Sequence, residues 1–232
     1  MSSIVRPRGA FPSPRHTLAA AMPHVASGTT PSQFLRKPSK LSFWLNNIDG
    51  DCCTAEEAFK MACHEPEIFI SDATVLAWAK SRGVLNGAVI VEVIDMMHKS
   101  GFEQDGVKYG DAQHKSVDWT NEALLRNAIW KGPVKIGVAA DQLQNAVPDP
   151  PTNGWFATGF WQDENYDHCT SLSGFGSFAW LAEQLGSTVP SGIDPATPGL
   201  ALFTWKSIGI IDVRSMLAIT GEAWLRYFAL SN

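Results

Sequence analysis

The apolar residues between positions 41 and 130 recur every three or four positions, which is the spacing of a helix that buries one face. They predict helices over residues 52–64, 71–81, 88–99 and 121–130. The last three of these segments are each followed by a glycine, a residue that commonly ends a helix. This part of the chain is therefore expected to be mostly helical.

After residue 131 the pattern changes to short segments that are rich in β-branched and aromatic residues and are punctuated by glycine. They predict strands over residues 134–140, 169–176, 201–206 and 223–230. A helical part followed by a strand-rich part is typical of an α+β fold and not of the alternating order that builds a parallel sheet. We therefore expect a helical lobe over residues 41–130 and a β-rich, antiparallel lobe over residues 131–232.

Residues 1–40 differ from both parts, because no hydrophobic period is sustained there. The segment is rich in proline and carries scattered basic residues, among them Arg6 and Arg8. Such a segment has too little apolar periodicity to build a core of its own. We expect it to be an extended arm that lies on the body of the protein.

The charge balance excludes one broad class of function. The chain of 232 residues carries 18 basic and 23 acidic residues, and its net charge is -5. Proteins that bind nucleic acid by neutralising phosphates need a positive surface, so nucleic acid is not an expected partner. No apolar run approaches the roughly 20 residues that cross a membrane, and the start of the chain lacks the apolar run of a signal peptide. We expect a soluble protein, and the sequence indicates no compartment or oligomeric state.

Cofactor chemistry has no support in the sequence motifs. The phosphate-binding and dinucleotide-binding fingerprints are absent. The four cysteines are Cys52, Cys53, Cys63 and Cys169, and the adjacency of two of them indicates free thiols and not a disulfide framework. A zinc site is disfavoured because adjacent cysteine and histidine ligands rarely reach one tetrahedral ion together. We expect neither a metal nor another cofactor.

Two residues have the chemistry of nucleophilic catalysis. Cys52 opens the first predicted helix, where unpaired backbone N–H groups and the helix dipole stabilise a thiolate. A thiolate nucleophile also needs a histidine that hands a proton to the leaving group. His168 begins a predicted strand in the other lobe, so it can face Cys52 across a cleft. Cys53 and Cys169, the residues that follow these two, are expected to pack in the core.

Three further segments follow one another in a definite order. Asn46 stands six positions before Cys52, the segment DHCTSLSGFG contains His168, and the segment FTWK contains Trp205. This order resembles the papain-like cysteine proteases, which have a glutamine six positions before the nucleophile, a histidine segment that ends in Gly-aromatic-Gly, and then an Asn-Ser-Trp segment. The similarity extends over residues 41–230, and the Gly-Asp-Cys sequence at the nucleophile is similar to a divergent group of bacterial and phage-type proteins.

The resemblance implies a papain-like fold and the activity of a cysteine peptidase or amidase. In that family the residue at the position of Cys52 is the nucleophile, and the residue at the position of His168 is the acid–base group. The counterpart of Asn46 donates to the oxyanion, and the counterpart of Trp205 shields the histidine from water. The implied substrate is a peptide, a protein or an amide-bearing polymer such as a cell-wall peptide, cleaved through a thioester.

One departure from the family leaves the third catalytic residue open. Phe203 stands two positions before Trp205, where the family has asparagine. The third residue mainly orients the imidazole, so another polar group can replace it. The candidates that the sequence offers, without ranking them, are Asn165, Asp163 and Asp212.

Other interpretations remain open at this point. A papain-like shell without activity would serve as a binding or structural module, and the same Cys-His pair would also support acyl transfer or deamidation. A further hypothesis is that the arm crosses the cleft as a short inhibitory segment. The acidic pairs Glu56-Glu57 and Asp163-Glu164 are expected to be solvated surface charges.

Overall fold

The computed structural model describes residues 5–231, which form eight helices and eleven strands. The helices are α1 (Arg15–Ala20), α2 (Cys52–Ala62), α3 (Asp72–Arg82), α4 (Ile90–Ser100), α5 (Glu122–Lys131), α6 (Asp141–Ala146), α7 (Phe178–Leu185) and α8 (Val213–Ile219). The strands are β1 (Ala10–Phe11), β2 (Phe34–Leu35), β3 (Ala88–Val89), β4 (Phe102–Gln104), β5 (Val107–Ser116), β6 (Val134–Ala139), β7 (Phe156–Ala157), β8 (Tyr166–Ser177), β9 (Pro198–Thr204), β10 (Ser207–Asp212) and β11 (Thr220–Ser231).

Nine of these strands form one mixed sheet. Its order is β4-β5-β11-β6-β8-β9-β10-β7, and β2 pairs with β8 outside this path. The pairs along the path are antiparallel except for β10 and β7, which are parallel. In the arm, β1 pairs in parallel with β3 as a separate two-stranded sheet. With the β2–β8 pair and an isolated parallel bridge between Pro23 and Ser116, the arm joins the backbone hydrogen bonding of the body at three places.

Apolar side chains cover both faces of the large sheet. One cluster packs the sheet against α2, α3 and α4, and the other packs it against α5 and α8. Leu202 and Phe203, neighbours on β9, belong to different clusters because successive strand residues point to opposite faces. Helix α2 is buried along its whole length, so the predicted nucleophile opens a helix that is held on every side.

The α+β fold class and the four predicted helices are confirmed. Helix α2 begins at Cys52, and α3 begins after Ser71, whose hydroxyl accepts a hydrogen bond from the backbone N–H of Thr74 at 3.1 Å. The four predicted strands are present in β6, β8, β9 and β11. The hairpin of β4 and β5 was not predicted, because β5 is polar and half-exposed along most of its length and shows no clear alternation.

The expectation that Glu56 and Glu57 are solvated was wrong, since both carboxylates are buried. Glu57 forms an ion pair with Lys135 of β6, and its Oε2 lies 2.8 Å from the guanidinium of Arg226 on β11. Burial raises the pKa of Glu57, but these two cations outweigh burial and lower the pKa to about 2. The polar face of α2 meets paired charges of the sheet and not water. A buried charge is tolerated only when it is paired in this way.

The arm lies along the body through residues 5–40. The imidazole Nε2 of His24 lies 3.0 Å from Oδ1 of Asn127, and the guanidinium of Arg36 donates to two carbonyls of the last turn of α5 at 2.7 and 2.6 Å. Among residues 5–231, no helix combines the length and apolar character required to span a bilayer.

Candidate active site

Cys52 is the first residue of α2, and its side chain has no exposed surface. Gly50 and Asp51 form the turn that leads into the helix. Burial alone would raise the pKa of the Cys52 thiol. The nearby Cys53 thiol, the charge of His168 and the backbone N–H of Cys169 together outweigh burial and hold the pKa of Cys52 well below its usual value. The surroundings of Cys52 therefore favour the thiolate, the nucleophilic form of a cysteine.

His168 lies on β8, opposite Val138 of β6, and is fully buried. Its Nε2 lies 2.8 Å from Oγ1 of Thr204. Its Nδ1 makes no hydrogen bond of ordinary geometry and is the ring nitrogen left for the neighbouring Cys52. When both ring nitrogens carry hydrogen, as in an imidazolium, Nε2 donates and the Thr204 hydroxyl accepts.

Thr204 and Trp205 are placed by the tight hairpin between β9 and β10. Thr204 pairs with Ser207, so the loop consists of Trp205 and Lys206 alone. Both loop residues have positive φ, 42° and 68°, as a two-residue hairpin of the primed type requires. This conformation is costly for residues other than glycine. Its result is that the indole of Trp205 stacks on the imidazole of His168, with 4.2 Å between ring centroids and 12° between planes.

The three polar candidates for the orienting residue lie elsewhere. Asp212 caps α8 by accepting from the backbone N–H of Ser215 at 2.8 Å. Asp163 accepts from the backbone N–H of Asn165 at 3.0 Å in a loop. The residue that bonds His168 is instead Thr204, which sequence reasoning missed. The signal was a hydroxyl immediately before the tryptophan, one position later than the family's asparagine.

Phe203, which stands where papain-like cysteine proteases have asparagine, has a packing role in the core. Its ring is buried and stacks on Phe59 of α2, with centroids 3.9 Å apart and planes 2° apart, and it also meets the edge of Trp44. Since alternate residues of β9 face opposite sides of the sheet, Phe203 fills the core beneath α2 while Thr204 faces the histidine.

Asn46 lies in the loop before α2 and is buried. The two preceding residues, Trp44 and Leu45, have positive φ values of 45° and 73°, which turn the chain sharply before the amide. Oδ1 of Asn46, an acceptor, is buried without a hydrogen-bond partner. The group that could donate to an oxyanion is the other end of the amide, its Nδ2–H2.

Asp51, directly before Cys52, is a buried carboxyl that sequence reasoning did not single out. Neither of its carboxyl oxygens has a hydrogen-bond partner. Burial first, then the negative charges of Cys52 and Asp49, raise its pKa to about 8. Asp51 is therefore neutral at pH 7 and does not oppose the thiolate beside it.

The N-terminal arm crosses the residues that surround Cys52 and His168. Gly9 packs on Gly50 so closely that a Cβ atom on Gly9 would lie 1.7 Å from the Gly50 carbonyl oxygen. The carbonyl of Gly9 accepts from the backbone N–H of Ala88 at 2.8 Å, and the carbonyl of Pro7 accepts from the indole N–H of Trp205 at 3.3 Å. The arm therefore spans from the loop before Cys52 to the tryptophan that covers the histidine.

A cavity of about 900 Å³ lies elsewhere, at the C-terminal end of α2. Its buried cations are already paired, Lys60 with Asp111 and Arg226 with Glu57. Neither Cys52 nor His168 lines it. Within the described part of the chain, no three histidine, cysteine or acidic side chains converge as a metal-binding group. The residues with the chemistry of nucleophilic catalysis, Cys52 and His168, lie instead beneath the arm.

Comparison with known proteins supports the fold. No protein-family model and no curated protein sequence matches the chain. Among solved structures, xylellain, a cysteine protease from Xylella fastidiosa, aligns with a TM-score of 0.64 at 11% identity, over 97% of this chain and 98% of that chain. A digestive procathepsin L from Tenebrio molitor gives 0.58 at 13% identity, over 89% and 73%. Bromelain from Ananas comosus gives 0.56 at 12% identity, over 85% and 99%. The chain has a papain-like fold.

Proposed function

We propose that this protein is a cysteine peptidase or amidase in which Cys52 is the nucleophile and His168 is the acid–base group. The observation that carries the proposal is the connected series of Cys52, His168 and Thr204, with a thiol whose pKa is held well below its usual value. A buried thiol without such partners has a raised pKa, as Cys169 does, chiefly by burial. The divergent Gly-Asp-Cys group remains the branch of the family to which we assign the chain.

The reaction follows from the charge states of the two groups. The Cys52 thiolate attacks the carbonyl carbon, and the carbonyl oxygen takes the negative charge. The backbone N–H of Cys52 and the side-chain amide of Asn46 are the proposed donors to this oxyanion. The His168 imidazolium gives its proton to the departing amine as the C–N bond breaks, which leaves a thioester. Neutral His168 then removes a proton from water, whose oxygen attacks the thioester and releases the acid and the thiolate.

Thr204 is the proposed positioning residue of this pair. Its hydroxyl accepts from Nε2–H of His168 and so directs Nδ1 toward the thiol. A hydroxyl is neutral, as the family's amide is, and it stabilises the imidazolium by a hydrogen bond without adding charge. The buried indole of Trp205 stacks on the ring and is proposed to keep water, which would compete for the same hydrogen bond, away from it.

We also propose that residues 1–40 form a separate inhibitory arm on a helical lobe of residues 41–130 and a β-rich lobe of residues 131–232. The fully buried state of Cys52 and His168 supports this, since a polymeric substrate cannot reach either residue while the arm is seated. Peptides and proteins are the proposed substrates, with amide-bearing polymers such as cell-wall peptides in the same chemical class.

The test uses one substitution that removes the arm from the cleft without shortening the chain. Gly9→Val places a branched side chain where even a Cβ would meet the Gly50 carbonyl oxygen at 1.7 Å. The matched control is Ala26→Val, at an exposed position of the arm. A thiol-directed epoxysuccinyl probe should label Cys52 at least 10-fold faster in Gly9→Val than in the control, and only Gly9→Val should cleave a mixed peptide library.

The outcomes also separate the alternatives. Labelling of Cys52 with transfer of the acyl group to amines, or with release of ammonia from glutamine side chains, would replace hydrolysis by acyl transfer or deamidation. An unreactive Cys52 in folded Gly9→Val protein would contradict the proposal and leave a binding or structural module.

A further inference from the structure

We propose that Asp141 and Asp167 form an acidic subsite beside His168 that binds a basic side chain of the substrate, and that Arg8 of the arm occupies this subsite in the closed protein. This inference rests on the proposed function, because it names the substrate class that the cleft would select.

The ion pairs of Arg8 define the subsite. Its Nη1 lies 2.6 Å from Oδ1 of Asp141 and 2.7 Å from Oδ2 of Asp167. The backbone N–H of Ala140 donates to the other oxygen of Asp167 at 3.2 Å, which fixes that carboxylate. The Arg8 side chain is 16% exposed, against 65% for Asp141 and 28% for Asp167. One guanidinium group thus bridges two carboxylates at the edge of the cleft.

Both carboxylates are held by rigid elements of the body. Asp167 lies on β8 directly before His168, and Asp141 begins α6, separated by one residue from the end of β6. Strands β6 and β8 are neighbours in the sheet, so the two side chains meet where these strands approach the cleft. Among residues 5–229, whose side chains are described, the ion pairs of both carboxylates are made with Arg8. Departure of the arm would leave two adjacent negative charges.

The neighbours of Arg8 show that it sits where a substrate would. The Pro7 carbonyl bonds to the indole of Trp205, and Gly9 packs on Gly50 in the loop before Cys52. Arg8 is therefore bracketed by contacts on both sides of the catalytic pair. A peptide that replaces the arm would bring one of its own side chains to the same two carboxylates.

The position of His168 indicates on which side of the scissile bond the acidic subsite lies. His168 must reach the nitrogen of the departing amine to protonate it, so the part of the substrate after the scissile bond lies against His168 and the adjoining Asp167. We therefore expect selection for arginine or lysine on that side. Because these carboxylates are partly exposed, the preference over a neutral side chain of the same shape should be about 10-fold and should decrease with salt.

The experiment measures binding first and cleavage second. The full-length Gly9→Val/Cys52→Ala protein is titrated with two fluorescent peptides that differ only in one residue, arginine or its neutral analogue citrulline. The arginine peptide should bind about 10-fold more tightly. Asp141→Asn/Asp167→Asn in the same background should abolish the difference, and Asp163→Asn, a nearby acid that does not contact Arg8, should preserve it. Equal affinities in the parent protein, or no binding of either peptide, would overturn the subsite.

The cleavage measurement keeps the two proposals apart. Gly9→Val with Cys52 intact should cleave the arginine peptide with a kcat/KM about 10-fold above that for the citrulline peptide. If the binding preference is present but neither peptide is cleaved, the subsite stands and the proposed hydrolytic function fails. If both peptides are cleaved equally, the function stands and the subsite is refuted.

Discussion

Replacing Thr204 by valine exchanges one hydroxyl for a methyl group and leaves the size and branching of the side chain unchanged. In the structure that hydroxyl lies 2.8 Å from Nε2 of His168, and both residues are fully buried. The substitution therefore removes the hydrogen-bond acceptor from a buried imidazole.

The magnitude follows from the cost of an unpaired buried donor, which is about 1–3 kcal/mol and lies toward the upper end when the donor is charged. The protonated form of His168 bears this cost because its Nε2–H loses its acceptor, so the ion pair with the Cys52 thiolate is weakened by a similar free energy. We expect kcat/KM to fall by about 10- to 100-fold, and we expect the pKa of Cys52 to rise, because its cationic partner is less stable.

The assay is the rate of Cys52 alkylation by iodoacetamide across pH, measured in the Gly9→Val background so that the arm does not limit access. Thr204→Val should move the midpoint of the profile to higher pH, whereas Thr204→Ser, which keeps a hydroxyl, should stay near the parent. Thermal unfolding controls for damage to the fold. A valine variant that is as fast as the parent at every pH would refute the positioning role of Thr204.

Three other substitutions test the surroundings of the site. Phe203→Asn puts an amide against Phe59 in the core, so it should lower the free energy of unfolding by about 3–5 kcal/mol and should not improve activity; a stable and more active variant would show that the family position is still functional. Asp51 is protonated up to about pH 8 in the folded state but ionised above about pH 4 in the unfolded state, so the stability of the wild type falls as the pH rises through this window. In denaturant melts Asp51→Asn should therefore be more stable than the wild type by up to about 4 kcal/mol at pH 7 and equally stable below pH 4. Glu57→Gln leaves the charge of Arg226 without its partner and should lower the free energy of unfolding by about 3–5 kcal/mol at pH 7. Because the pKa of Glu57 is lowered to about 2, the stabilisation by its carboxylate is present above pH 4.5 and is lost as the pH falls toward 2. The loss of stability in the variant should therefore shrink in acid, and a loss that does not depend on pH would refute this assignment.

The sequence predicts the parts of the site that depend on local spacing. A cysteine that opens a helix and a histidine near the start of a strand are features of single elements, and the structure finds both Cys52 and His168 where these elements begin. The expectation that the two residues face each other rests on the order of the segments and the resemblance that this order carries. The burial of Trp205 was also expected from the sequence, because this tryptophan follows strand β9, which pairs with β8.

The remaining features depend on tertiary contacts that leave little trace in a linear pattern. Thr204 was missed because the two-residue hairpin begins directly after it. The side chain that bonds His168 therefore comes one position later than Phe203, where the resemblance placed it. Glu57 was placed in solvent because its charged partners, Lys135 and Arg226, come from strands that are distant in the sequence. The path of the arm over Gly50 depends on a backbone contact that only a glycine at position 9 permits.

The most direct measurement of the central claim is to trap the acyl-enzyme. Gly9→Val protein is mixed with an activated peptide ester, quenched in acid and digested, and the acylated residue is located by mass spectrometry. The account predicts one thioester adduct on Cys52 that turns over to free acid, slows strongly in His168→Ala and is absent in Cys52→Ala. Equal product release by Cys52→Ala, or an adduct on another residue, would contradict it.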